Sequence, residues 1–140
     1  MSTTFTRELE RLTHSGLTLA DPAADIRGRE VLDRDGNRVG TVIDLLVDPE
    51  QRIARMAEVE TGGGVLGIGR KHRLIPVEIL TAGDPRTVYL ERTRDEVNAA
   101  PEYRPAEGDV EEEQYAATYA AYGVTPYWQS QPVGSRRRPR

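Results

Sequence analysis

The sequence contains no cysteine, and this absence removes several kinds of chemistry. A chain without thiols has no disulfide, no cysteine-ligated zinc, no iron–sulfur cluster and no thiol nucleophile. Histidine is scarce as well, since the only two copies, His14 and His72, lie far apart in the sequence. Redox and transition-metal chemistry are therefore not expected, and the sequence predicts neither a metal site nor a bound cofactor.

Long apolar runs are also missing. No stretch approaches the ~20 apolar residues that a membrane-spanning helix needs, so no transmembrane segment is predicted. The first residues, "MSTTFTRELERL", carry charges where a signal peptide would have its apolar core. The expected location is the cytoplasm.

The sequence has no surplus of positive charge. Its net charge is −4, and residues 1–24, 25–93 and 94–140 carry −1, −1 and −2. Nucleic-acid binders concentrate Lys and Arg, so this balance argues against a nucleic-acid partner. Only "RKHR" and the terminal "RRRPR" are locally basic. Arg70, Lys71 and Arg73 are weak candidates for anion contact; the terminal run is interpreted as a disordered, solvated tail, with attraction to phosphate or to an anionic membrane surface as the alternative.

The middle of the chain has the pattern of short β-strands. "REVLDRDGNRVGTVIDLLVD" consists of two β-prone runs around Asp35 and Gly36, which is typical of a hairpin. Further β-rich runs follow at "RIARMAEVE", "HRLIPVEIL" and "RTVYLE". Five or six short strands, with close turns and no long helical period between them, predict a mainly β fold: a small antiparallel barrel or sandwich over residues 25–93.

Two motifs imitate ligand-binding loops. Gly62, Gly64 and Gly67 have the spacing G-x-G-x-x-G, but a β-rich run follows them where a dinucleotide site needs a helix. The sequence therefore predicts a hairpin loop here, and the P-loop pattern fails as well. "DRDGNRVGTVID" begins like a calcium loop, but Arg38 and Asp44 occupy the positions of the required Gly and Glu.

Catalytic groups are equally sparse. All four serines, Ser2, Ser15, Ser130 and Ser135, lie in the terminal extensions, outside the predicted barrel. Asp44 and Asp48 are the most plausible carboxylate pair, although solvated or turn-capping roles are favoured for both. The sequence therefore predicts no catalytic residues and a protein that is not an enzyme.

Each end of the chain carries a short helical pattern. Phe5, Leu9 and Leu12 have helical spacing before Gly16, and a linker completes an N-terminal segment of residues 1–24. Residues 94–140 form the C-terminal extension. Asp109 and Glu112 have the spacing of a capping box, and a helix is predicted over about residues 110–122, ending before Gly123.

The aromatic residues are concentrated in this C-terminal extension. Three tyrosines share one face of the predicted helix, which would pack on its own barrel, dock on a second copy, or capture another protein. The candidate interaction residues are Tyr115, Tyr119, Tyr122, Tyr127 and Trp128.

The ordered stretch as a whole resembles a PRC-barrel domain. The resemblance depends on Ile26, Gly28 and Val31, the hairpin "DRDGNRVGTVIDLLVD", the run "RIARMAEVE" and the strand "LIPVEIL" with Pro76. This family is a small β-barrel, found in the photosynthetic reaction-centre H subunit, in a ribosome maturation factor and in stand-alone bacterial and archaeal proteins. The resemblance implies a PRC-barrel-like fold with short helical extensions at both ends.

The resemblance also implies a role. Family members mostly act as docking or assembly modules and have no general catalytic signature. We therefore expect a non-catalytic protein–protein interaction or assembly module that associates with itself, as a homodimer or larger oligomer, or with another protein. The alternative is an RNA- or ribosome-associated factor in RNA processing or ribosome maturation.

Overall fold

The fold is built around one curled β-sheet, and the computed structural model describes residues 9–62, 69–103 and 112–130. Within these ranges, four α-helices accompany seven strands: α1 (Leu12–Ser15), α2 (Arg94–Ala99), α3 (Glu112–Tyr122) and α4 (Tyr127–Ser130). The strands are β1 (Glu10–Arg11), β2 (Glu30–Leu32), β3 (Arg38–Asp48), β4 (Ile53–Thr61), β5 (Lys71–Pro76), β6 (Leu80–Ala82) and β7 (Thr87–Leu90). The predicted mainly β fold is confirmed, with six strands between residues 25 and 93.

The strands follow the order β5-β4-β3-β2-β7-β6, and β1 pairs with the last part of β3. All neighbours are antiparallel except β2 and β7, which are parallel, a pairing that the sequence analysis did not anticipate. Register shifts in β3 mark β-bulges, which increase the local twist and bend the strand. Among the described residues no bridge joins the end strands β5 and β6, so the sheet is a half-barrel.

The predicted hairpin joins β2 to β3, and its turn depends on Asp33. This carboxylate accepts hydrogen bonds from the backbone N–H groups of Asp35, Asn37 and Arg94, and Gly36 adopts a φ of 85°. Burial opposes ionisation of Asp33, but these N–H donors outweigh it and hold its pKa below the ordinary value. The bond from Arg94 also ties the turn to the start of α2.

The predicted run "HRLIPVEIL" contains two strands rather than one. β5 ends at Pro76, residues Val77–Ile79 form one turn of 3-10 helix, and β6 begins at Leu80. Proline lacks the N–H that would continue a ladder, so a strand end is a compatible position for it. This 3-10 turn connects β5 to β6, which are the two end strands of the half-barrel.

The sheet is covered on both faces. Successive side chains of a strand point to opposite faces of the sheet. Leu45 therefore lies on the inner face and Leu46 on the outer face. The inner core includes Val42, Leu45, Val59 and Ile75. The outer core contains Leu46, Met56 and Leu74 beneath side chains from the C-terminal extension.

Helix α3 confirms the predicted end of the C-terminal helix. It ends at Tyr122, and Gly123 follows with a φ of 68°. The N–H of Gly123 bonds to the carbonyl of Ala120, and that of Val124 bonds to the carbonyl of Tyr119. These two bonds form a Schellman motif, which explains the glycine. The predicted capping residue Asp109 lies outside the described residues.

The N-terminal helix differs from the prediction. Among the described residues of this segment, Glu10–Arg11 form β1 and Leu12–Ser15 form the helix, which is followed by Gly16 with a φ of 76°. Pairing with β3 overrides the helical spacing of Leu9 and Leu12, because both leucines are buried in this arrangement. Phe5 lies outside the described residues. In the described part of the chain, no helix is long and apolar enough to cross a membrane.

Candidate functional site

A basic pocket lies at one end of the half-barrel. It has a volume of about 460 Å³ and forms where β3 begins, β4 ends, β5 begins and α2 passes over them. Among the described residues, four cationic side chains and no carboxylate line it. The lining residues are Arg38, Val39, Thr61, Gly62, Gly69, Lys71, Arg73, Arg94 and Asn98.

Arg73 is the most buried cation of this pocket, with a residue exposure of 7%. Its alternation with Leu74 along β5 places it on the inner face of the sheet. Its Nη1 donates a hydrogen bond to the carbonyl of Ala100, but its buried Nε has no hydrogen-bond partner. A buried guanidinium therefore retains an unused donor beside a polar cavity.

The structure brings together two of the three predicted anion contacts. Lys71 and Arg73 both line the basic pocket, and Arg70 is exposed but is not part of its lining. Sequence reasoning missed Arg38 and Arg94. Arg38 follows the hairpin turn directly and Arg94 begins α2, so only the tertiary fold places them beside β5.

An apolar groove lies at the opposite end of β4, about 26 Å along the strand at a rise of about 3.3 Å per residue. Its volume is about 530 Å³. Apart from Asp21 and Arg52 its lining is apolar, and it comes from the linker before β2, the β3–β4 turn with the start of β4, the β5–β6 connection and β6. The lining residues are Leu19, Ala20, Asp21, Ala23, Ala24, Ile26, Arg52, Ile53, Ala54, Val77, Leu80 and Ala82.

The groove has a fixed edge at the turn between β3 and β4. Arg52 has a φ of 58°, its N–H bonds to the carbonyl of Asp48, and its carbonyl accepts the N–H of Ala20. These bonds attach the linker to the turn. Next to Arg52, Ile53 leaves 42% of its surface exposed.

An ionic cluster with two buried carboxylates lies on the outer face of the sheet. Arg11 of β1 contacts Asp44 at 3.1 Å and Glu58 at 2.9 Å, and Nδ1 of His72 lies 2.7 Å from the other oxygen of Glu58. Asp44 also accepts hydrogen bonds from the backbone and hydroxyl groups of Thr13. The cluster joins β1 to β3, β4 and β5.

This geometry gives the cluster a structural role. Glu58 has no exposed side-chain surface and Asp44 has 2%, so neither carboxylate is accessible to a substrate. Asp48, the other member of the predicted pair, caps the β3–β4 turn by accepting the N–H groups of Glu50 and Gln51. Within the described ranges, no three His, Asp or Glu side chains form a group that could hold a metal ion.

The predicted interaction residues lie against their own chain. Tyr115, Tyr119 and Tyr127 belong to the outer core, Tyr122 reaches the inner core, and each is at most 8% exposed. Trp128 is partly exposed and makes edge-to-face contacts with Tyr119 and Tyr127. This is the first of the three arrangements that the sequence left open. A partner contact through these residues stays a prediction, and only Trp128 has appreciable surface left for one.

The tyrosine face is both tightly packed and electrostatically distinctive. Burial raises the pKa of Tyr119 and of Tyr122 well above the ordinary value, and burial also raises the pKa of Tyr103. The guanidinium carbon of Arg55 lies 4.5 Å from the ring centre of Tyr127, which is a cation–π contact. The hydroxyls of Tyr119 and Tyr122 therefore stay protonated, and Tyr127 of α4 is anchored to β4.

The glycine segment joins two antiparallel strands, as predicted. β4 ends at Thr61 and β5 begins at Lys71, with Gly62 and Gly69 both at positive φ. Strand β5 begins two residues after Gly69, at the place where a dinucleotide-binding loop needs a helix. Gly64 and Gly67 lie outside the described residues.

The sequence matches a known protein family over the half-barrel. A family model described as PRC-barrel domain matches residues 20–96, which is more than half of the chain. No curated protein matches the sequence. The matched range contains β2 to β7 and both ends of the half-barrel described above.

Proposed function

Because this chain belongs to the PRC-barrel family, we propose that it is a non-catalytic assembly module that binds a second copy of itself through the apolar groove. The family resemblance implies docking or assembly and supplies no general catalytic signature. The observation that carries the proposal is the exposed Ile53 beside a 530 Å³ apolar groove.

Ile53 is unusual in this molecule. Among the described residues, Ile53 and Tyr89 are the only large hydrophobic side chains that are exposed, and Ile53 lines the apolar groove. Contiguous apolar surface with a polar rim is typical of interaction sites. A groove of this kind loses its contact with water when an apolar side chain from another molecule enters it.

A second copy suits the groove because its edge is self-complementary. In a twofold dimer the same patch faces itself, so a residue that lies away from the symmetry axis meets a different residue of the other copy. Arg52 and Asp21 both line the groove and carry opposite charges. Arg52 of one copy would meet Asp21 of the other, with Ile53 of each copy inserted into the facing groove.

The groove is also held in shape before binding. The bonds from Ala20 to Arg52 and from Arg52 to Asp48 fix the two sides of its edge. A rigid site loses less conformational entropy on association than a flexible one. Specific dimers bury about 600–1,000 Å² per partner, so the contact would extend from the groove onto the surrounding surface.

Light scattering over a concentration series tests the proposal. We expect a dimer for the full chain and a monomer for Ile53→Glu, because the substitution places a charge in an apolar contact. Tyr89→Glu is the matched control, since it changes the other exposed hydrophobic residue, on β7, and should leave the dimer intact. A full-length monomer at all concentrations would overturn the proposal, as would equal effects of the two substitutions.

Charge reversal tests the proposed contact itself. Arg52→Glu should weaken dimerisation through like charges facing each other, and adding Asp21→Arg should restore it. Unfolding midpoints measured on the same variants separate loss of association from loss of folding. A double variant that dimerises no better than Arg52→Glu alone would contradict the twofold arrangement.

The RNA- or ribosome-associated alternative stays a prediction, with less support. The net charge of −4 is unfavourable for binding phosphodiester chains. Arg73, one of the residues that suggested it, is buried inside a pocket, where an extended RNA backbone has little access. The basic run near the C-terminus lies outside the described residues.

A further inference from the structure

The basic pocket contains a set of positive charges that the assembly role does not use. Among the described residues, Lys71, Arg73 and Arg94 form no ion pair with a carboxylate. Arg38 pairs with Glu30 at 2.6 Å, but both side chains are about half exposed. The carboxylates of Glu58 and Glu60 are turned to the other face of β4, where they contact His72.

We propose that this pocket is a binding site for a small anion that carries a phosphate group. The clearest support is Arg73, which is more than nine-tenths buried and has an Nε–H without an acceptor. A buried positive charge without a compensating negative charge costs free energy, and an anion bound in the adjacent pocket would lower that cost. The fold therefore keeps the guanidinium of Arg73 buried without an anionic partner among the described residues.

The chemistry of the lining favours phosphate over a simple carboxylate. A guanidinium offers planar paired donors that match phosphate oxygens, and the ammonium of Lys71 adds a compact charge. Three unpaired cations together favour an anion with more than one negative charge. Asn98 adds an amide group to the same wall.

The dimensions favour a small molecule. A volume of about 460 Å³ lies within the ~300–1,000 Å³ range of small-molecule sites, and exceeds what one phosphate group needs. The pocket therefore accommodates free phosphate or pyrophosphate, or the phosphate of a small phosphorylated compound. The overall charge of −4 places this positive site on an otherwise acidic chain, so the attraction is local.

Isothermal titration of the full chain with inorganic pyrophosphate tests the proposal, with sodium chloride at equal ionic strength as the reference. We expect saturable one-to-one binding and a rise in the unfolding temperature. Lys71→Gln and Arg94→Gln should each weaken binding about tenfold, the effect of losing one charge-assisted hydrogen bond. Both residues have exposed side chains, so these variants are expected to fold.

Arg70→Gln is the matched control, because it removes the same charge from the neighbouring position outside the pocket. Its binding should equal that of the parent chain. A second titration with a small phosphorylated compound, such as a sugar phosphate, separates free phosphate from a phosphorylated ligand as the preferred partner. Absence of saturable binding to either probe, equal loss in Arg70→Gln, or binding of ribosomal RNA without binding of either probe would overturn the proposal.

Discussion

The guanidinium of Arg11 lies 2.9 Å from a carboxylate oxygen of Glu58, whose side chain has no exposed surface. Arg11 belongs to the short strand β1, and Glu58 lies in the middle of β4, on the far side of β3. The same guanidinium contacts Asp44 at 3.1 Å. One side chain therefore neutralises two buried carboxylates and holds the N-terminal segment on the outer face of the sheet.

Removal of this guanidinium should destabilise the fold. Arg11→Ala leaves Asp44 and Glu58 buried with one cationic partner fewer, and the expected loss is about 2–3 kcal/mol of unfolding free energy. The control is Arg27→Ala, which removes an arginine from a 2.7 Å pair with Asp25 in which both partners are one-third exposed. That pair should contribute less than about 1 kcal/mol. Urea denaturation measures both, and equal losses would contradict the role assigned to Arg11.

Gly40 should not tolerate a side chain. A Cβ at this position would lie 2.1 Å from the carbonyl oxygen of Glu60, on the backbone of the adjacent strand. Gly40→Ala must therefore separate β3 from β4, at a cost of about 1–3 kcal/mol. In Gly83→Ala the close atom, at 2.4 Å, belongs to the exposed ring of Tyr89, which can move aside. Thermal unfolding of the two variants should therefore show the larger decrease for Gly40→Ala.

Alkaline pH should unfold the chain through its buried tyrosines. The pKa values of Tyr119 and Tyr122 are raised by burial, so their hydroxyls stay protonated in the folded state at a pH where the unfolded chain ionises. The unfolded state then binds fewer protons, and stability falls as the pH rises above about 10. Urea midpoints at a series of pH values measure the effect. Tyr122→Phe should reduce the slope, and an unchanged slope in Tyr122→Phe and Tyr119→Phe would refute this explanation.

The sequence was most informative where local chemistry decides the structure. Asp35 and Gly36 specify a turn, Gly123 ends a helix, and the alternating apolar runs specify strands that need two covered faces. The resemblance to a PRC barrel used these same features, and the family match over residues 20–96 agrees with it. Such signals depend on residues close together in the chain, so no tertiary information is needed.

The sequence was least informative where distant residues meet. Two features of the fold depend on neighbours far along the chain. They are the parallel pairing of β2 with β7 and the strand conformation of residues 10 and 11. The two pockets have the same origin. In the sequence, Ile53 is indistinguishable from other strand residues, because only the fold brings the linker near Asp21 beside it. Arg94 likewise has the pattern of a surface arginine, because only the fold brings α2 beside β5.

The aromatic face of α3 should govern folding and leave self-association unchanged. Tyr119 has no exposed surface and lies over the outer core, so Tyr119→Ala should cost about 3–5 kcal/mol through lost burial and a residual cavity. Trp128→Ala, which truncates a partly exposed ring in contact with Tyr119, should cost clearly less. Urea denaturation gives the cost, and light scattering on the same samples gives the oligomeric state.

Because the proposed dimer contact lies at the groove around Ile53, Tyr119→Ala should remain dimeric under conditions where it is folded. A Tyr119→Ala variant that keeps its stability and becomes monomeric would instead place the partner contact on the tyrosine face and remove it from the groove.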